Sequence, residues 1–308
     1  MLYTILILTL TAGSVLGQSC CSGGAPLSGN LGLPMVDGRQ VQFSISYDLN
    51  KLNTLKSGTE TLDDNTRTRT THTALFQAGY NIDKHWSFEI LLPYVQQERE
   101  VSPLGLGSTV EITNGIGDIV FLSKYRFLNH FQAGLGVKFP TGSSDETTSR
   151  GILLNADMQP GSGAWDGIAF FTSEHQLKSR NSLSVYSTWT YRFTGKNNSY
   201  LIDQVYEFGN EAQVQVGVAD QFLIFNQLIG PSLSFKYRNV SADINDGFDV
   251  PSTGGSWLFI KPGLSYLITP TINLVTTLDL PLYANLEGTQ VTPTFRWNTA
   301  LLFNLKLR

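Results

Sequence analysis

Between positions 131 and 142 the chain reads "FQAGLGVKFPTG". In an extended strand Phe131, Ala133, Leu135, Val137 and Phe139 fall on one face, and Gln132, Gly134, Gly136 and Lys138 on the other. About twelve runs share this period of two, each close to the length that crosses a bilayer at a tilt. They cover 41–47, 74–80, 86–94, 119–127, 131–139, 165–175, 183–193, 206–218, 223–235, 258–266, 272–282 and 295–307. The sixth alternates poorly. The seventh sets Leu183, Val185, Trp189, Tyr191 and Phe193 against Ser184, Thr188, Thr190 and Arg192. A soluble sandwich would bury the apolar face, whereas an outer-membrane barrel would turn it to lipid.

The connections decide between these two folds. "NIDKH", "LNH", "LKSRN", "ADQ" and "TPT" are short, and between them lie long polar stretches at 51–65, 97–115, 141–163 and 239–255. Short and long in alternation is the mark of a barrel with one rim in the periplasm and the other outside; a sandwich has no reason to keep it. Tyr47, Tyr80, Trp86, Tyr94, Tyr125, Tyr191, Phe193, Tyr266 and Trp297 lie mostly near run ends, as interfacial girdles require. The last run, "FRWNTALLFNLKLR", can close against the first and leave no edge. The sequence thus predicts an all-β fold: an antiparallel transmembrane β-barrel of about twelve strands, with short periplasmic turns, long extracellular loops and both termini periplasmic.

Composition sharpens this picture. Of 308 residues 41% are hydrophobic and only 15% charged, with a formal net charge of -4. A soluble domain carries roughly 25% charged residues. The mild negative balance, with no basic block, argues against nucleic acid. Residues 1–17, "MLYTILILTLTAGSVLG", have signal-peptide length and composition. The expected division is a signal peptide at 1–17, a short periplasmic segment or small plug at 18–39, and a barrel at 40–308 in the outer membrane of a Gram-negative bacterium, with outer-membrane lipid as its first partner.

Four pieces, "GIGDIVFLSKYRF" (115–127), "LGVKFPTGSS" (135–144), "PGSGAWD" (160–166) and "LPLYANLEGTQV" (280–291), carry a resemblance. In order and spacing they resemble an outer-membrane transporter family named for the meta-pathway of phenol degradation, over roughly residues 75–308. That family is similar, distantly, to the fatty-acid transport porins. The resemblance implies passive uptake or efflux of small solutes, often aromatic or apolar. The segment 18–39 is too short for the hatch of the fatty-acid porins, so substrate identity does not carry over.

Applying the register strand by strand turns Glu89, Asp118, Asp166, Glu174, Glu207, Glu211 and Asp279 inward, with Lys124, Arg126, Lys138, Arg192, Lys236, Arg238, Lys261, Arg296 and Lys306. A cation facing lipid at the midplane would cost about 2–4 kcal/mol, so inward sorting is expected whatever the function. Two readings stand: mutually paired ions that fill a narrow barrel, or a solute path lined by them. In the first, the protein is a structural or assembly barrel whose tail binds a periplasmic protein partner or a soft metal.

Catalysis would need a hydroxyl nucleophile beside a histidine at the outer rim of the lipid face. Among His72, His85, His130 and His175 only His72 falls there, without a nucleophile motif, so an enzyme is not expected. In "DINDGFD" (243–249) the glycine comes fifth rather than sixth for a calcium loop, which favours an Asp-Gly turn. No phosphate loop or zinc motif implies a cofactor. Cys20 and Cys21, the only cysteines, are candidate soft-metal ligands; lipidation and a plain Gly-rich tail compete with that reading. The sequence sets no oligomeric state.

Overall fold

A computed structural model of the chain describes residues 33–35, 38–63, 66–102, 107–128, 130–148, 150–201 and 203–306. Twelve long strands form the wall: β1 Gln40–Leu52, β2 Arg67–Asn81, β3 Trp86–Val101, β4 in two pieces (Thr109–Ile116 and Ile119–Phe127), β5 Phe131–Phe139, β6 Asp166–Leu177, β7 Arg180–Phe193, β8 Glu211–Ala219, β9 Gln227–Val240, β10 Gly255–Thr269, β11 Ile272–Leu286 and β12 Phe295–Lys306. Each runs antiparallel to its sequence neighbour. β1 pairs β12 from Gln40 opposite Lys306 to Lys51 opposite Phe295, so the sheet is closed and the edge groups of both strands are satisfied.

Alternation places the side chains as the sequence predicts. In β1, Gln40, Gln42, Ser44, Ser46, Asp48 and Asn50 are buried inside, while Phe43, Ile45 and Tyr47 are exposed outside. The poorly alternating sixth run is nevertheless a strand. Its inward positions Ile168 and Phe170 are apolar because they pack with Leu91, Val120 and Leu122 inside the barrel. That cluster blurs the sequence pattern without breaking the pleat.

One rim carries the short turns. At the first, Asp83 Oδ1 accepts the His85 and Trp86 amides at 2.7 and 2.8 Å, and these bonds hold its carboxyl below the ordinary aspartate range. The opposite, long-connection rim is more ordered than its composition suggests. β2 and β3 span 15 and 16 residues, beyond the roughly 9–11 needed to cross a bilayer. Much of 97–115, read as loop, is therefore wall continued past the lipid. Thr54–Ser57, Glu60–Leu62 and Thr289–Thr292 form a small sheet at this rim. Lys196–Tyr200, Gln204–Glu207, Ile244–Asn245 and Phe248–Asp249 form another.

Two expectations are corrected here. Tyr206 and Phe208 do not face lipid; they are buried against Ala156 in this outer sheet, and the wall strand begins only at Glu211. Glu207 accordingly lies outside the lumen, 3.9 Å from Lys196. The Asn210 side chain accepts the Thr194 amide at 2.9 Å and ends the outer hairpin there, which breaks the period-two run that joined the two segments in sequence. "DINDGFD" forms the expected turn: Asp246 and Gly247 have φ of 50° and 83°, as a type I′ hairpin requires. The Asp243 carboxylate accepts the Tyr206 hydroxyl and the Gly209 amide, at 2.7 and 2.8 Å.

Candidate functional site

The interior is built in three layers. Nearest the long-connection rim, Leu52, Leu55, Val240, Trp257, Phe259, Ala284, Leu286 and Val291 form an apolar cluster between wall and outer sheet. Beside it the 140–165 connection turns into the barrel rather than away from it. Its single 3-10 turn, Ala156–Met158, is buried. Arg69 holds the Asp157 carboxylate at 2.6 Å and also donates to Gln97, while Thr113 donates to the Met158 carbonyl at 2.6 Å.

The four sequence pieces behind the resemblance acquire a physical role here, three of them at one node. Asp118, buried at the break in β4, accepts the Gly142 amide at 3.0 Å and the Ser162 amide and hydroxyl at 2.9 and 2.7 Å. Lys138 bridges Asp118 and Asp166 at 3.0 and 2.9 Å. Gly142 and Gly161 lie face to face, so closely that a Cβ on either would come within 2.7 Å of the other's Cα. The motif glycines and carboxylates thus seat the inserted connection. "LPLYANLEGTQV" contributes Ala284, Leu286 and Val291 to the apolar cluster above.

From this node a belt of charge runs around the barrel. Asp166 lies 3.9 Å from Arg192, Arg192 3.2 Å from Glu211, and Glu211 2.7 Å from Arg238. Lys236 pairs with Asp279, which Lys261 approaches at 3.7 Å, and Arg296 meets Asp48 at 2.8 Å. Going from β4 round to β1, each strand contributes one charge to this belt, β9 two, and neighbours mostly alternate in sign. Nearer the short-turn rim Glu89 pairs with Lys124 and accepts the Leu33 amide at 2.9 Å. Lys124 and Arg126 donate to the Leu33 and Met35 carbonyls, which fixes Leu33–Met35 inside the barrel. Gly79 makes room for it, since a Cβ there would lie 3.0 Å from Leu33 Cδ1. Of the predicted inward set, Glu89, Asp118, Lys124, Lys138, Asp166, Arg192, Glu211, Lys236, Arg238, Lys261 and Asp279 are buried inside the barrel, with Arg126 and Arg296 part-buried; Glu174 and Lys306 are exposed near strand ends, and Glu207 lies outside. Asp48, Arg69 and Asp157 are absent from that set; Asp48 sits at an inward position of the first run, Arg69 between the 51–65 connection and the second run, and Asp157 within the 141–163 connection.

Opposite the node is a cavity of about 100 Å³ lined by β1, β2, β11, β12 and the Leu33–Pro34 segment. Its wall is mixed: Ser44, Ser46, Gln77, Thr277 and Asn298 beside Leu75, Val275, Ala300 and Leu302. Among the described residues, the side chains of Ser44, Ser46, Gln77 and Thr277 bond no protein group. Sequence reasoning passed over these positions because neutral small residues give no signal of their own. Cys20 and Cys21, the candidate metal ligands, lie outside the described residues.

The family model described as "Putative MetA-pathway of phenol degradation" matches residues 54–297. The chain belongs to this family. No curated protein sequence matches it. Among solved structures it is similar to an outer membrane channel from Pseudomonas putida F1, with a TM-score of 0.68 at 14% identity, covering 89% of this chain and 97% of that one. It is also similar to the beta domain of the Bordetella autotransporter BrkA, with a TM-score of 0.50 at 8% identity over 86% and 99% of the two chains. Identities this low establish a shared fold, that of an outer-membrane β-barrel.

Proposed function

We propose that the barrel is a non-enzymatic conduit for small, uncharged, largely apolar solutes, which travel along the β11–β12–β1–β2 wall with the short-turn rim in the periplasm. The cavity on that wall carries the reading. Among the described residues the side chains of Ser44, Ser46, Gln77 and Thr277 have no protein partner, Asn298 donates to Asp48, and the remaining lining is apolar, so the cavity suits a solute with one or two neutral polar atoms. On the opposite wall Lys138, Arg192 and Arg238 pair with Asp118, Asp166 and Glu211, so this stretch of the belt leaves little uncompensated charge to attract an ion. Family membership and the likeness to an outer membrane channel support the same reading. The test is permeation into proteoliposomes of benzyl alcohol, benzoate and a monosaccharide. Benzyl alcohol should enter fastest, by severalfold, and Ala300→Trp should abolish the difference. Equal entry of benzyl alcohol and benzoate through the wild type would sink the proposal.

A second reading has one observation in its favour: the inserted connection and the apolar cluster fill the lumen at the long-connection rim. In that reading the barrel is structural and its tail binds a partner. Proteoliposomes with folded wild-type protein and no solute entry above empty vesicles would favour it.

A further inference from the structure

The geometry points to a divalent transition-metal site at the short-turn rim, formed by His130 and His175 and taking Cu²⁺ or Zn²⁺ through two imidazoles. This is independent of the conduit reading and uses residues remote from the cavity. His130 stands in the turn between β4 and β5; His175 is near the end of β6, on the wall's outer face beside Phe131. The β5–β6 ladder fixes both: the Glu174 amide donates to the His130 carbonyl at 2.9 Å, one residue before His175.

Three observations converge on ligation. The two rings have centroids 4.9 Å apart. An imidazole nitrogen lies roughly 1.1 Å from its ring centre and binds such ions at about 2.0–2.1 Å, so two rings sharing one ion stand roughly 4.5–5.2 Å apart for square-planar to tetrahedral angles. Second, His130 Nδ1 lies 3.1 Å from the Glu174 carbonyl oxygen. A carbonyl only accepts, so Nδ1 carries the proton and Nε2 keeps its lone pair. Metal-bound histidines commonly have that tautomer and that outer hydrogen bond. Third, both histidines are exposed, and among the described residues neither ring nitrogen of His175 has a protein partner. The remaining coordination positions would hold water, which makes the ion exchangeable rather than structural.

His85 supplies an internal control. Its Nδ1 faces the Arg126 carbonyl at 2.9 Å, so it has the same tautomer, but its ring stacks on Tyr125 instead of on a second histidine. The experiment titrates Cu²⁺ into EDTA-stripped, full-length protein in detergent, in a Cys20→Ser, Cys21→Ser background that removes the thiols, and reads the electron paramagnetic resonance spectrum. One Cu²⁺ per chain with splitting from two nitrogens is expected. His130→Ala and His175→Ala should each weaken binding at least tenfold, and His85→Ala should leave it unchanged. Heat-modifiable gel migration verifies a closed barrel, and His175→Asn replaces any alanine variant that fails to fold. Absence of binding, a one-nitrogen spectrum, or affinity indifferent to both His130 and His175 would overturn the site.

Discussion

The two halves of the lumen differ although the same alternation builds them. On β4 to β9 the inward positions set charged side chains among small ones such as Gly134 and Gly136, and those charges are committed: Asp118 to the inserted connection, Lys138 to two aspartates, Arg192 and Arg238 to Glu211. On β11, β12, β1 and β2 the charges Asp279, Arg296, Asp48 and Arg69 lie beyond the cavity, whose lining is Ser, Thr, Asn, Gln, Ala, Val and Leu, several of them without a protein partner among the described residues. Buried charge is tolerable only where partnered, so the first half is locked by its own chemistry. Small neutral residues impose no such demand, and space remains beside them. Charges in a lumen need not line its path: under the proposed conduit they hold the scaffold instead.

The largest expected effect breaks the scaffold. Lys138→Ala leaves Asp118 without a cation and Asp166 with Arg192 alone, 3.9 Å away, and should cost about 3–5 kcal/mol, read as the urea midpoint of the folded barrel in detergent. An unchanged midpoint would mean that the belt is solvated rather than locked. Next comes the contrast between the two faces of the wall. Ile90→Arg, on the lipid side of β3, should cost about 2–4 kcal/mol near the midplane in a lipid-bilayer unfolding titration. A cost near zero would place Ile90 outside the bilayer and shift the assumed membrane level.

The other half is probed more gently. Ala300→Trp overfills the cavity and should cost about 1–3 kcal/mol, while solute entry falls far more steeply than stability. If entry persisted, the path would lie elsewhere in the lumen. The smallest effect sharpens the comparison most: Thr277→Val should move stability by no more than about 0.5 kcal/mol, because it removes a hydroxyl that bonds no protein group. The same substitution should slow benzyl alcohol relative to toluene in the proteoliposome assay. A destabilisation as large as that of Lys138→Ala would show that Thr277 is also part of the scaffold.

Much of this was legible in the chain. A period of two with about ten residues per run can satisfy backbone groups in lipid only as a closed sheet, and short and long connections in turn fix which strands are neighbours. The pleat alone turns Lys138, Asp166, Arg192 and Glu211 inward, since side-chain direction in a strand is a local property. Where two runs touched, as at Phe208 and Glu211, the same local rule joined what the structure separates, and Glu207 was misplaced.

Which inward charges pair, and where space is left, are not local properties. Asp118 meets Ser162 across 44 residues because the connection before β6 folds inward, and Arg296 meets Asp48 across 248 because the sheet closes. The inward fold of the 140–165 connection likewise rests on Arg69, Thr113 and Asp118 converging from separate strands on its backbone and side chains. The sequence determined the barrel and the facing of its residues because both follow from period and length. The cavity, the locked belt and the histidine pair were decided by tertiary structure, because each depends on which strands lie side by side once the ring is closed.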